Sequence, residues 1–227
     1  MGEQLLLFRP RSDASFANFF CSAANATTLH ALQDWLRQAG GVFYLYGAEG
    51  SGRSHLLQAA CLEFNFLYLP LMDLADQNPQ QVLEGLDSVQ SICLDDIHTV
   101  TNNLLWCEYL FHLFNRCAQA GTKLLISALQ PSAQLPCLLP DLRSRLGWGG
   151  NFRLQSLDDE ASAKALQLRA SERGIDLSDD VIAYILTRHP RNFTALLQLL
   201  ERLDKQSLAE KKRITIPFVR RILGTAM

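Results

Sequence analysis

Gly47-Ala48-Glu49-Gly50-Ser51-Gly52-Arg53-Ser54 is the stretch that decides the fold. It follows an apolar run, Val42-Phe43-Tyr44-Leu45-Tyr46, and opens a helical pattern, His55-Leu56-Leu57-Gln58-Ala59-Ala60. A strand, a glycine-rich turn and a helix start, in that order, make a phosphate-binding loop. The glycines let backbone N–H groups converge on one anion at the positive end of a helix. Gly47, Gly50, Ser51, Gly52, Arg53, Ser54 and His55 are therefore expected around the phosphates of ADP or ATP, with the Ser54 hydroxyl within reach of a Mg²⁺. The position that usually carries Lys holds Arg53. Its planar fork keeps the charge without copying a compact ammonium, so phosphate binding should outlast catalysis.

A second signal lies downstream. Ser91-Ile92-Cys93-Leu94 reads as a buried strand ending in Asp95-Asp96, expected to lie beside the phosphate-loop strand. Asp95 would hold Mg²⁺ through water, and Asp96 would face the nucleotide and polarise an attacking water. Alone, such a pair reads more readily as a polar cap on a strand; coupled to Gly47–Ser54, the nucleotide reading prevails. Phe16 and Phe19 are expected against the base. The His55 side chain has a plain reading, packing or facing solvent. His30, His98, His112 and His189 form no ligand spacing, so no metal beyond Mg²⁺ is expected.

The chain has 227 residues and 48% hydrophobic content, enough for one α/β domain and a small helical one. Its 21 basic and 23 acidic residues argue against tight, unaided nucleic-acid binding, which needs a concentrated positive face. Six scattered cysteines without C-x-x-C spacing read as free thiols in a reducing compartment. No signal peptide or membrane span is read, so a cytoplasmic protein is expected.

Strands are expected at 66–70, 91–94, 123–127 and 152–154, alternating with helices at 27–38, 79–86 and 104–120. That pattern implies a parallel sheet covered on both faces. After Leu157 the alternation stops. Helices are expected at 158–173, 179–187 and 192–205, with a short one from Ile216. The division expected is a tail at 1–13, an α/β nucleotide-binding subdomain at 14–156 and a helical lid at 157–227.

The phosphate loop, Leu94-Asp95-Asp96-Ile97, the Ser127 strand end and the helical lid together resemble an AAA+ ATPase module. Leu139-Pro140-Asp141-Leu142-Arg143-Ser144-Arg145-Leu146-Gly147-Trp148-Gly149 is similar to the Ser-Arg-Phe-Gly-Trp-Gly segment of the bacterial replication initiator DnaA. The resemblance runs from about residue 14 onward. DnaA continues past its lid into a helix-turn-helix DNA-binding domain, which is expected to be missing here. Gln4-Leu5-Leu6-Leu7-Phe8 is similar to the peptide that docks on the DNA polymerase sliding clamp, with Gln4, Leu5, Leu7 and Phe8 as the contacts. Together with Gly52-Arg53-Ser54-His55, these features look like the Hda family of DnaA-related regulators.

That resemblance implies a regulator of replication initiation. Held to DNA through the clamp β subunit, it stimulates hydrolysis of ATP bound to DnaA and so inactivates DnaA. Arg145, placed after the last core helical turn, matches an arginine finger acting in trans, with Arg143 not excluded by spacing. The lid position of the nucleotide-sensing Arg aligns with Thr194, with Arg191 nearby, and an acidic sensor position aligns with Ala128. The chain is thus expected to bind ADP well, to hydrolyse ATP weakly or not at all, and to be capable of forming a homodimer. The alternatives are an adaptor or loader that tethers a partner to the clamp, and an independent ATPase.

Overall fold

The computed structural model describes Pro10, residues 14–189 and residues 192–224, and for Asp87 the backbone only. Gln4, Leu5, Leu7, Phe8 and Arg191 lie outside the described residues. By internal contacts the chain forms two compact units. One holds the residues up to Ala48 and Gly52–Gln155; the other holds Glu49–Ser51 and the residues from Ser156 onward.

The first unit is built on five parallel strands: β1 (Val42–Tyr46), β2 (Leu67–Pro70), β3 (Ser91–Asp95), β4 (Lys123–Ala128) and β5 (Asn151–Arg153). Their order across the sheet is β2-β3-β4-β1-β5. This corrects one expectation: β3 does not lie beside β1. β4 pairs with both, Val42 opposite Leu124 on one side and Ile92 opposite Leu124 on the other. Crossover connections let a later strand insert between two earlier ones, and strand periodicity carries no information about that order.

The strands read as continuous apolar runs, yet they sort their side chains with period two. Phe43, Leu45, Cys93 and Leu125 face one core, closed by Leu29, Leu32 and Leu36 of α1 (Ala26–Arg37) and by Leu56, Leu57 and Ala60 of α2 (Arg53–Phe64). Tyr44, Ile92, Leu94, Leu124 and Ile126 face the other core. Two short helices, α3 (Leu71–Leu74) and α4 (Pro79–Leu83), contribute Leu71, Leu74 and Leu83 there, and α5 (Leu104–Ala120) contributes Trp106, Leu110, Leu113 and Phe114. Asn103 caps α5 by accepting from the N–H groups of Leu105 (3.0 Å) and Trp106 (3.3 Å), and Gly121, at φ 74°, ends it. Lys123 is a charged residue in a buried strand position. Its Nζ donates to the carbonyls of Trp35 (3.0 Å) and Leu36 (2.7 Å), carbonyls at the C-terminal, negative end of α1.

A helix that the sequence reading omitted, α6 (Pro140–Leu146), precedes β5 and buries Leu142 and Leu146. Arg145 therefore sits inside the last turn of a helix rather than after one. Pro140 at the first helical position starts α6, and Gly147 closes it.

The second unit is helical: α7 (Asp159–Glu172), α8 (Asp179–Arg188), α9 (Phe193–Glu210) and α10 (Ile216–Gly224). Asp158 caps α7 at Ala161 N–H (2.8 Å), and Asn192 caps α9 at Thr194 N–H (2.9 Å). Leu166, Ile182, Ile185, Leu196, Leu200, Leu203 and Val219 form its core. α9 runs five residues beyond its expected end at 205, because nothing in Gln206–Glu210 breaks a helix; Lys211, in the left-handed region at φ 53°, stops it. No described helix is long and apolar enough to cross a membrane.

Candidate nucleotide site

β1 ends at Tyr46, and the Gly47 N–H donates to the Ala128 carbonyl (3.2 Å), fixing where the loop departs from the sheet. Gly50 and Gly52 adopt φ 76° and 97°, left-handed values that side-chain-bearing residues rarely take. A Cβ on Gly52 would also stand 2.7 Å from Cε2 of Phe19. The first intrahelical bond of α2 runs from Leu56 N–H to the Gly52 carbonyl (3.1 Å). The N–H groups of Arg53, Ser54 and His55 therefore have no partner inside the helix. The Ser51 hydroxyl and one Arg53 guanidinium nitrogen, Nη1, are buried without a hydrogen-bond partner among the described residues. Buried donors left unmade are costly, and an anion in this turn would satisfy them. On these observations the residues present fit the phosphates of a nucleotide.

The other guanidinium nitrogen, Nη2, is engaged. It stands 3.1 Å from Asp96 Oδ1, in a pair whose side chains are only 6% and 17% exposed. Asp96 itself is at φ 56°, a strained position that turns its carboxylate out of the line of β3. Asp95 points elsewhere: it accepts hydrogen bonds from the Tyr68 hydroxyl (2.6 Å) and from the Ser127 hydroxyl. Ser127 also accepts from the Asp96 N–H (2.8 Å), so this one side chain at the end of β4 braces both acids. A carboxylate has about four lone-pair sites, so Asp95 could still accept from a water beside a Mg²⁺, were Ser54 and the phosphates to hold one. Among the described residues no cluster of three His, Cys, Asp or Glu side chains could hold a metal by itself.

The two aromatic residues expected at the base share one turn, the Phe19 N–H donating to the Phe16 carbonyl (3.4 Å), while their rings meet different residues of α2. Phe19 packs at the N-terminal end of α2, its ring 5.8 Å from that of His55. Phe16 is near the other end, 6.2 Å edge-on to Phe64, with its N–H on Glu63 (2.8 Å). The His55 ring is committed to the backbone, its Nε2 lying 3.0 Å from the Ser15 carbonyl.

Sequence reasoning gave Tyr68 no role, used Ser127 only as a strand end in the family resemblance, and considered His98 only as a metal ligand. The Tyr68 hydroxyl is pushed up by burial and by the Asp95 charge, so it stays a hydrogen-bond donor. His98 Nδ1 lies 3.9 Å from Asp96 Oδ1; burial, then the Arg53 charge, lower its pKa, against a smaller opposing effect of Asp95. The only hint in the sequence was a polar residue closing each apolar strand, Tyr68 inside Leu67–Leu69 and Ser127 after Ile126.

Arg145 lies on α6, its guanidinium 3.8 Å above the ring of Trp148 and 5.8 Å from that of Phe111. No carboxylate pairs with it among the described residues. Trp148 is 59% exposed, so the stacked pair faces outward. Arg143 is exposed on the same helix. A Cβ on Gly149 would fall on the Val42 carbonyl, which explains the glycine that follows the tryptophan. Ala128 is fully buried and brings no acid, and Thr194 is exposed, its N–H bound to the α9 cap.

Two family models match the chain. Residues 159–223 match the Hda lid domain, and residues 64–153 match the bacterial DnaA ATPase domain. Among solved structures the chain is similar to domain III of the replication initiation protein DnaA from Thermotoga maritima. The identity is 20% and the TM-score 0.81, over 96% of this chain and 98% of that one. It is also similar to AMPPCP-bound DnaA from Aquifex aeolicus, at 20% identity and TM-score 0.71 over 86% of this chain and 66% of that one. The RuvB Holliday junction branch migration motor of Thermotoga maritima gives 19% identity and TM-score 0.67, over 98% and 73%.

Proposed function

Because the chain is a Hda- and DnaA-like AAA+ protein, we propose that it regulates replication initiation by stimulating hydrolysis of the ATP bound to DnaA. It does so in the cytoplasm, while held to DNA by the sliding clamp. ADP is its resident nucleotide, with Ser54 and, through water, Asp95 as the residues that would hold a Mg²⁺. When bound, the nucleotide supplies the charge that orders the loop; the chain's own residues bind and orient it. The helix-end N–H groups of Arg53, Ser54 and His55 hold the phosphates, and Ser127 and Tyr68 hold Asp95 still.

Own turnover is weak on this reading. Arg53 shares its charge with Asp96, the acid that would otherwise orient an attacking water. Ala128 adds no acid and Thr194 no positive charge to sense a γ-phosphate. The observation that carries the reading is Arg145, a half-buried guanidinium with no carboxylate partner among the described residues, held outward on Trp148. A cation kept uncommitted in this way can stabilise charge on a phosphoryl group bound by another molecule. The deciding experiment measures hydrolysis of DnaA-bound ATP with this protein, with and without DNA-loaded clamp. Stimulation only in the presence of clamp supports the proposal, and none in either case overturns it.

A further inference from the structure

Cys107 and Cys137 bring their sulfurs to 3.9 Å. Cys107 is on α5 and fully buried; Cys137 is half-buried in the segment between β4 and α6. We propose that this pair is a redox modification site, closed to a disulfide by hydrogen peroxide and reopened by a dithiol. The pair is already close: its sulfurs need to approach from 3.9 Å to about 2.05 Å. The reactive member is Cys137. The hydrogen bond with Cys107 lowers its thiol well below the ordinary value; burial opposes this, and the backbone at Leu139, the Arg143 charge and the Arg143 backbone reinforce it. Cys107 moves the other way, pushed up foremost by the same hydrogen bond.

The chemistry balances. The Cys137 thiolate attacks one peroxide oxygen, the O–O bond breaks, and hydroxide leaves to take a proton, giving a sulfenic acid. Cys107, losing its proton, attacks the Cys137 sulfur; the S–O bond breaks and water leaves. Two thiols and one hydrogen peroxide become one disulfide and two waters. The other cysteines lack this combination. Cys21 is exposed, but desolvation pushes its thiol up. Cys61 on α2 and Cys93 on β3 are also hydrogen-bonded to each other, but both are buried and desolvation foremost pushes the Cys93 thiol up; Cys117 is buried in the other core. Cys137 lies three residues before Pro140, where α6 begins, so the bond would pin the start of the helix that carries Arg143 and Arg145 to α5.

The test uses the full chain, oxidised with a small excess of hydrogen peroxide, alkylated and mapped as non-reduced peptides. A Cys107–Cys137 cross-link is expected, reversed by dithiothreitol, retained in Cys21→Ser and absent in Cys137→Ser. Because Cys107 is fully buried, Cys137→Ser rather than a change at Cys107 carries the decision. At pH 7, before oxidation, Cys137 should alkylate at least about tenfold faster than Cys21. A Cys137 that remains an alkylatable thiol while Cys21 oxidises, or that ends as a sulfinic acid without a cross-link, overturns the proposal.

Discussion

The Arg53 guanidinium stands 3.1 Å from the Asp96 carboxylate, in a pair shielded from solvent on both sides. A buried charge that loses its partner costs about 3–5 kcal/mol. Arg53→Met should therefore lower the unfolding free energy measured in urea by an amount of that order, and with it the midpoint; adding Asp96→Asn should restore part of the loss. An unchanged midpoint in the single variant would show that the pair is screened and contributes little.

The same site should respond to nucleotide. If, as proposed, ADP binds the folded loop and not the unfolded chain, saturating ADP should raise the melting temperature; at one hundred times Kd the stabilisation is about 2.7 kcal/mol. Ser54→Ala should shrink the shift in the presence of Mg²⁺. A thermal scan with no shift in the wild-type chain would remove the nucleotide from the proposal.

Arg145→Ala should leave folding and ADP binding near wild type and abolish stimulation of DnaA-bound ATP hydrolysis. Arginine fingers are worth roughly 10³–10⁵ in rate. Arg143→Ala should be milder, and Trp148→Ala intermediate, because it removes the ring on which the guanidinium rests. The half-life of radiolabelled ATP on DnaA, with clamp-loaded DNA, ranks the three. Loss with Arg143→Ala alone would assign the role to the other arginine.

The segment Gln4–Phe8 is proposed to dock on the clamp. Replacing Gln4, Leu7 and Phe8 by Ala should abolish clamp binding in a titration while leaving the ADP-induced melting shift intact. Undiminished clamp affinity would place the contact elsewhere.

His98 gives a pH signature. Its pKa is lowered in the folded protein, by burial first and then by Arg53. Below the unfolded value of about 6.5 the unfolded chain therefore takes up the proton more readily. The stability is fully present above that pH and falls as the pH drops through the folded pKa. Between pH 7.5 and 5.5 the melting temperature of the ligand-free wild type should fall more than that of His98→Gln. Equal slopes would mean that His98 titrates normally.

Much of this was legible in the sequence because it is local. The order β1, Gly-rich turn, α2 follows from one short contiguous stretch, and α5 was expected at 104–120, the bounds it has. The helical lid was visible as a change of period after Leu157. What was not legible is long-range. Nothing in Ser91–Asp95 says that β4 separates it from β1, and nothing in Ser127 says that its hydroxyl will brace an acid 32 positions earlier. α6 was overlooked because Pro140-Asp141-Leu142-Arg143-Ser144-Arg145-Leu146 is one short amphipathic stretch inside a segment read for its motif. Phe16 and Phe19 do share a turn, but nothing in the sequence says that one ring will meet Phe64 and the other His55.

The position of β4 also bears on biosynthesis. Both nucleotide motifs leave the ribosome before it does, and until Ala128 has emerged β1 and β3 each present an unpaired edge where a neighbour belongs. Unpaired edges are sticky. At roughly 5–20 residues per second the interval lasts a few seconds. A nascent chain stalled near residue 110 would carry every phosphate-loop residue and both aspartates, yet would be a client for chaperones rather than a nucleotide binder.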